Sequence, residues 1–347
     1  MDLGQSARRA WSTLTRFGKA LAAPAEVGPD VAPASVDQPP SPSTGKRPWP
    51  LYAVLVLLLV VPLYYLVGAW TTYRINDDLR YTAPQAPAQA SQTVANIAGL
   101  ITREVDETTW SPNTPPFAPA ALLRFGGNMP NFQAGLARAL SMVVVELEGR
   151  VGRLRGTGAA DEDLGAAREG LSRRPETWIL NPLPTSSADG EYRRARDALM
   201  RYNARLQRGE AVFDERADNL LGVLDRIALD IGAASDETER QIIAGRRVFI
   251  DRRADKIFYF NKGKAYAYYI VALGLRRDFS DVITERRVAR IYDAMVEDLA
   301  RAAGLQPMVV QNASPEALMM PNHLAMQGFY LLRARAKLRE ITDILAK

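Results

Sequence analysis

From Leu51 to Trp70 the chain reads LYAVLVLLLVVPLYYLVGAW, and no Asp, Glu, Lys or Arg occurs between Pro48 and Tyr73. Such a run predicts a membrane-spanning helix, which needs about 20 consecutive apolar residues. Trp49 and Trp70 bracket it. At a rise of about 1.5 Å per residue they lie ~31 Å apart, close to the hydrocarbon thickness, and both are expected as interfacial anchors in the lipid bilayer. Pro62 lacks a backbone donor and predicts a tolerated kink. The 48 residues ahead of this run are too many for the leading region of a signal peptide, so a retained anchor is expected.

Beyond the apolar run the hydrophobic period changes to that of amphipathic helices. Val94, Ile97, Ile101 and Val105 recur at steps of three and four; Phe132, Leu136, Leu140, Val143, Leu147, Val151 and Leu154 form a longer stripe. Tyr192, Ala195, Leu199, Tyr202 and Leu206 mark another helix, followed by one through Leu220, Leu224, Ile227 and Ile231 and one through Val288, Ile291, Met295 and Leu299. Between Lys264 and Arg276 the uncharged stretch Ala265 to Leu275 is too short to cross a bilayer and predicts a buried helix. Leu324, Leu331, Leu338 and Leu345 are spaced by sevens, a seam suited to bundle packing or to self-association. No stretch alternates like a strand, and the expectation is an all-α chain: a single N-terminal transmembrane helix followed by a multi-helix, bundle-like soluble domain. The divisions expected are a tail over 1–48, the transmembrane helix over 49–73, a Pro/Ala/Gln-rich semi-extended linker over 74–90, and a helical domain over 91–347.

Charge changes this picture little. Lys and Arg number 44 against 39 Asp and Glu, a formal net charge of +5, and the signs are interleaved, so no nucleic-acid partner is expected. One basic segment stands apart. Arg8, Arg9, Arg16 and Lys19 flank Trp11, Leu14, Phe17 and Leu21, which is the pattern either of an amphipathic helix on an anionic leaflet or of a disordered basic tail. The first reading places the N-terminus in the cytoplasm and the C-terminal domain in the periplasm, where Lys46 and Arg47 against Arg74 and Arg80 leave the local charges nearly tied.

Candidate chemistry is sparse. There is no cysteine and one histidine, His323, so neither a thiolate nor a histidine cluster can hold a metal, and no cofactor or metal is expected. Asp161, Glu162 and Asp163, like Asp236, Glu237 and Glu239, sit where helix-start acids belong. The Arg doublets at 246–247, 252–253, 276–277 and 286–287 read as solvated faces or as an anion surface, and Tyr259, Tyr266, Tyr268 and Tyr269 as core or as an aromatic shelf for glycans. No catalytic residue is assigned, and the chain is expected not to be an enzyme.

The stretch GGNMPNFQAGLARAL carries the best candidate contact residues. Asn128 is expected to cap the helix, with Pro130 in its first turn and Phe132 opening the buried stripe. Capping does not demand Asn131 or Gln133, so Asn128, Asn131 and Gln133 are the candidate partner contacts. With NMPNFQAGLARAL, the later WILNP and the apolar anchor in this order, the sequence resembles the bacterial domain-of-unknown-function 2333 family of membrane-anchored proteins, over most of the chain from the anchor onward. That resemblance implies an inner-membrane location and brings no functional residues with it. The expected function is an envelope interaction or scaffold module with an envelope protein partner. The alternatives are cell-wall glycan binding or hydrolysis, and lipid handling.

Overall fold

The computed structural model describes residues 49–72, 74–115, 117–118, 121, 127–151, 161–180, 183–244, 251–307, 309–313 and 322–347. The basic tail at 1–48, Arg246–Arg247 and Leu154 therefore lie outside the described residues. The chain divides into two units, Met1–Ala53 and Val54–Lys347, and only the first turn of a helix is described in the former.

Helix α1 spans Trp49–Thr72, 24 residues with Pro62 inside it. No charged side chain occurs in it, and its leucines and valines from Val54 to Val67, together with Trp49 and Trp70, are exposed. Among the described residues no helix is long and apolar enough to cross a membrane.

The second unit continues through α2 (Gln92–Thr102), a π-helical turn (Arg103–Glu107), α3 (Asn128–Glu146), a second π-helical turn (Leu147–Val151), α4 (Glu162–Leu171) and α5 (Ala188–Gln207). It then runs through α6 (Ala217–Ala244), α7 (Arg252–Asp278), α8 (Ser280–Glu285), α9 (Ala289–Ala303) and α10 (His323–Leu345). The described residues contain no strand, only the isolated bridges Leu180–Pro184 and Asn312–Asn322. The all-α expectation is met for these residues.

Helix starts follow local chemistry. Ser91, Asp161, Ser187, Asp251 and Asn322 each accept a hydrogen bond from a first-turn amide. The α2 start has a second, tertiary cap. Asp278, at the end of α7, accepts from the amides of Gln92 and Thr93 at 2.8 and 2.9 Å and from the Ser91 hydroxyl at 2.6 Å. A carboxylate there satisfies orphan donors and complements the positive end of the helix.

Helix α7 is the axis of the body. It packs against α2, α3, α6, α9 and α10, and this surround explains why the uncharged stretch Ala265 to Leu275 is apolar on nearly all sides. Its closest neighbour is α3. A methyl group built on Gly135 of α3 would lie 1.9 Å from the Phe260 carbonyl oxygen, and one on Gly263 of α7 would lie 1.9 Å from that of Phe132. The two backbones therefore touch at a reciprocal glycine crossing that no other residue type permits.

Two expectations about the C-terminal half and the linker need correction. Leu324, Leu331, Leu338 and Leu345 are all buried, and α10 packs on α6 and α9 within the same chain. The heptad seam is thus spent on the fold and leaves no free seam for a second copy. Residues 74–90, read as a linker, form instead a strap docked on the body, with Ala83 and Ala86 buried. Tyr266 and Tyr269 donate to the carbonyls of Asp78 and Leu79 at 2.8 and 2.9 Å, and Gln92 accepts from the Ala86 amide at 2.9 Å. Proline and alanine suit a strap because neither side chain adds a polar group to be satisfied against α2.

The crossing yields a direct expectation. Gly263→Ala must push two backbones apart and should lower unfolding free energy by about 1–3 kcal/mol, at the upper end of overpacking because a carbonyl cannot rotate away. Denaturant titration of the full chain checks this, with Gly149→Ala, where a methyl group meets nothing within 4 Å, as the neutral control.

Candidate functional site

The three amides singled out in the sequence occupy three different environments. Gly127, not Asn128, is the N-cap of α3, with extended backbone at φ −81 and ψ 147 and no side-chain capping bond. Asn128 is the first helical residue. Asn131 turns back to donate to the Gly127 carbonyl at 2.9 Å. Gln133 is 0 % exposed and offers no surface to a partner. Its Oε1 accepts from both the amide and the hydroxyl of Ser111, at 2.8 and 2.6 Å, and its Nε2 donates to Glu104 Oε2 at 3.1 Å and to the Thr109 carbonyl at 3.2 Å. Every hydrogen-bonding position of this amide is taken up inside the protein.

Gln133 leads to the main polar centre of the body. In the π-helical turn that follows α2, Arg103 and Glu104 are 2 % and 1 % exposed and pair at 2.6 Å. Consecutive residues of an α-helix point about 100° apart, and the wider turn, closed by the Thr108 amide on the Arg103 carbonyl at 3.0 Å, brings both inward. Arg103 also donates to the Tyr266 hydroxyl at 2.6 Å and lies 4.8 Å from the ring centres of both Tyr81 and Tyr266. Burial opposes the Arg103 charge, yet the Glu104 carboxylate and the Tyr266 hydroxyl outweigh it and hold the guanidinium above its ordinary pKa. Burial pushes the Tyr266 phenol up to about 12 against the pull of Arg103.

Tyr81 connects this centre to open space. Its ring, against Arg103 on one side, lines a cavity of about 380 Å³ between α2, α5 and the strap. Val94, Ala98, Gly99 and Leu199 make most of the wall, with Glu107, Asn203 and Gln207 as polar points. Asn203 is committed elsewhere, accepting from the Ser91 amide at 2.8 Å and donating to its carbonyl at 3.1 Å. A second cavity of about 620 Å³ lies on the other side of the strap, against Gln92, Asn96 and Arg277. Such a mainly apolar recess with few polar groups suits a small apolar ligand better than a sugar.

The remaining candidates are structural. Tyr259, Tyr266 and Tyr268 are buried, and Tyr268 donates to Asp230 at 2.8 Å beside the Lys264–Asp230 ion pair, also 2.8 Å. These rings make no shelf for a glycan because the crossing helices enclose them. Arg277 donates to Gln92 at 2.6 Å and to the Ala86 carbonyl at 3.1 Å, and Arg276 pairs with Asp293 at 3.0 Å. His323 Nδ1 accepts from the Gln311 amide at 3.1 Å, and partial burial lowers its pKa. Asp161 caps α4 and takes Arg205 at 2.6 Å. Among the described residues no three His, Asp or Glu side chains gather into a metal-binding group. Asp255, in the first turn of α7, stands differently: half-buried, its carboxyl is pushed by desolvation up to about 6.

Sequence reasoning missed Arg103 and Glu104. The available signal was a charged pair following directly on the stripe Val94 to Ile101, which regular helical periodicity assigns to two different faces.

The fold and this centre define the class: an all-helical domain organised round a buried polar hub. Residues 117–248 match the family described as an uncharacterized protein conserved in bacteria, DUF2333. That span contains both NMPNFQAGLARAL and WILNP, so the resemblance holds there, over a shorter part of the chain than the sequence suggested. No curated protein and no solved structure matches the chain.

Two outcomes follow. Arg103→Ala strands the buried Glu104 charge and should cost about 3–5 kcal/mol of stability, whereas replacing both partners by apolar residues of similar volume should recover most of it; chemical denaturation of the three variants measures the difference. Asp255 has a folded pKa above its ordinary 3.8, so its stabilising contribution is complete below that value and is lost as pH rises through about 6. Asp255→Asn should therefore raise Tm at pH 7 and flatten the stability profile between pH ~4 and ~6, read by thermal melts across that range.

Proposed function

We propose that the chain is a single-pass protein of the bacterial inner membrane, held by α1 with its N-terminus cytoplasmic, whose helical periplasmic domain works as a non-enzymatic interaction or scaffold module of the envelope. The observation carrying this reading is α1 itself: an uncharged 24-residue helix whose leucines and valines from Val54 to Val67 are exposed. At about 1.5 Å per residue it reaches ~36 Å, enough for the hydrocarbon core, and exposed apolar side chains of this density are stable only in lipid or against another apolar surface. The basic tail favours the cytoplasmic side for the N-terminus.

The body supplies a surface for a partner. Met326, Phe329 and Leu332 are exposed at three-residue steps on α10, on the side away from its buried leucines. Aromatic and Met side chains grouped in this way favour protein contact. Lipid handling is a second reading. The apolar cavity of about 380 Å³ beneath the strap favours it over glycan binding.

A periplasm-active reporter fused after Lys347 should be active, and a reporter active only in the cytoplasm should be silent there. The chain should stay with membranes through an alkaline wash, and Leu58→Lys with Leu59→Lys, each costing about 2.5–3.5 kcal/mol at the span centre, should release it. A soluble wild-type chain would overturn the anchor, and an active cytoplasmic reporter the orientation.

A further inference from the structure

The most exposed apolar side chains of the body lie in two neighbouring loops. Phe117 is 70 % exposed and Leu183 is 74 %, with Ile179 and Leu180 each more than half exposed. Phe117 meets Trp178 edge-on, ring centres 6.3 Å apart, which joins the loops into one patch. The patch is held in shape by its base. Thr185 donates to the Ile179 carbonyl at 2.9 Å, Ala188 and Asn113 donate to that of Thr177 at 2.9 and 3.1 Å, and Trp110 donates to that of Pro175 at 3.1 Å. Such bracing presents the apolar side chains outward when the local alternative is to fold them in.

Two observations identify what covers this patch. The first is its junction with α1: the Tyr64 hydroxyl donates to the Phe117 carbonyl at 3.2 Å. Tyr64 precedes Trp70 by six residues, about 9 Å along the helix axis, so its level lies inside the apolar run rather than beyond it. A phenol at that depth is costly in hydrocarbon unless paired, and the carbonyl that pairs it belongs to the patch. The second is charge. Beside the apolar side chains lies a polar recess of about 530 Å³ lined by Arg173, Arg174 and Arg194 together with Glu169, Glu191 and Thr177. Arg194 pairs with Glu191 at 2.8 Å, and Arg174 stands 3.9 Å from Glu176, an exposed pair of little strength. Arg173 donates to the Ser186 hydroxyl at 3.1 Å and has no carboxylate partner among the described residues. Aromatic and branched apolar tips edged by arginines match the boundary between acyl chains and anionic headgroups.

We infer that Phe117, Trp178, Ile179, Leu180 and Leu183 form a second membrane contact, which dips into the leaflet where α1 emerges, with Arg173 and Arg174 directed at lipid phosphates. The inference rests on the anchor proposed above. It turns a domain hung on a tether into one seated on the bilayer, with the strap and its flanking cavities facing a fixed direction relative to the lipid.

The absence of cysteine allows a clean test with the full chain. Leu58→Cys, Leu183→Cys and Asp343→Cys, the last exposed on α10, are labelled singly with a polarity-sensitive fluorophore. The protein is then placed in nanodiscs of phosphatidylethanolamine and phosphatidylglycerol, with or without spin-labelled lipid. The expected result is severalfold quenching by spin-labelled lipid at 58 and 183 and none at 343, with Arg173→Ser and Arg174→Ser weakening the signal at 183 alone. A probe at 183 as open to aqueous iodide as that at 343, while 58 is quenched, overturns the loop contact and leaves the anchor standing. A probe at 183 shielded from both quenchers places a protein there and overturns it equally. Quenching at 183 without quenching at 58 keeps the loop contact and removes the anchor.

Discussion

The body depends on the approach of two backbones. Where α3 crosses α7, Gly135 and Gly263 each face a carbonyl of the opposite helix, with no room for a methyl group on either side. An approach this close gives α3 and α7 a large shared contact surface and makes α7 the inner helix of the body. An inner helix places most of its side chains against protein. For α7 these include Lys262, Lys264, Tyr266 and Tyr268, four polar side chains drawn out of water by the same packing.

Each of these groups is met by a partner from elsewhere in the chain. Lys262 pairs with Asp77 of the strap at 2.6 Å, and Lys264 with Asp230 of α6. Burial lowers the Lys262 pKa, which the Asp77 carboxylate opposes. Tyr266 joins Arg103, which in turn holds Glu104 and, through it, Gln133 of α3. The polar hub is thus a consequence of the glycine crossing. Leaving one of its members unpaired would cost more than a typical surface interaction can return. The strap is part of the same system, since the Tyr266 and Tyr269 hydroxyls and Lys262 all hold it. A segment with the composition of a linker is consequently docked, and it carries the connection from α1 to the body.

Surfaces follow from what this packing leaves over. The leucine seam of α10 is consumed against α6 and α9, and the opposite side of that helix retains Met326, Phe329 and Leu332. The loops bearing Phe117 and Trp178 stand outside the crossing helices and are braced by backbone hydrogen bonds. Apolar side chains in those places do not lower the energy of the isolated body, and their exposure is intelligible as contact with another apolar phase.

Helical periodicity in the sequence was enough to establish the class of the described body, most of its helices and the burial of most of Ala265 to Leu275, because side-chain spacing along one element is a local property. It also identified the apolar, uncharged character of the run now seen as α1. It could not show that Gln133 is sealed beneath Ser111 and Glu104, that the Pro/Ala/Gln segment is docked, or that the heptad leucines are spent within one chain. Those outcomes depend on which elements meet. A pattern that marks a face as apolar is the same whether that face is covered by its own chain, a second copy or lipid, and only the tertiary packing distinguishes them. Gly135 and Gly263 show the same division: the residue type is visible in the sequence, but its necessity comes from a carbonyl more than a hundred residues away in the chain.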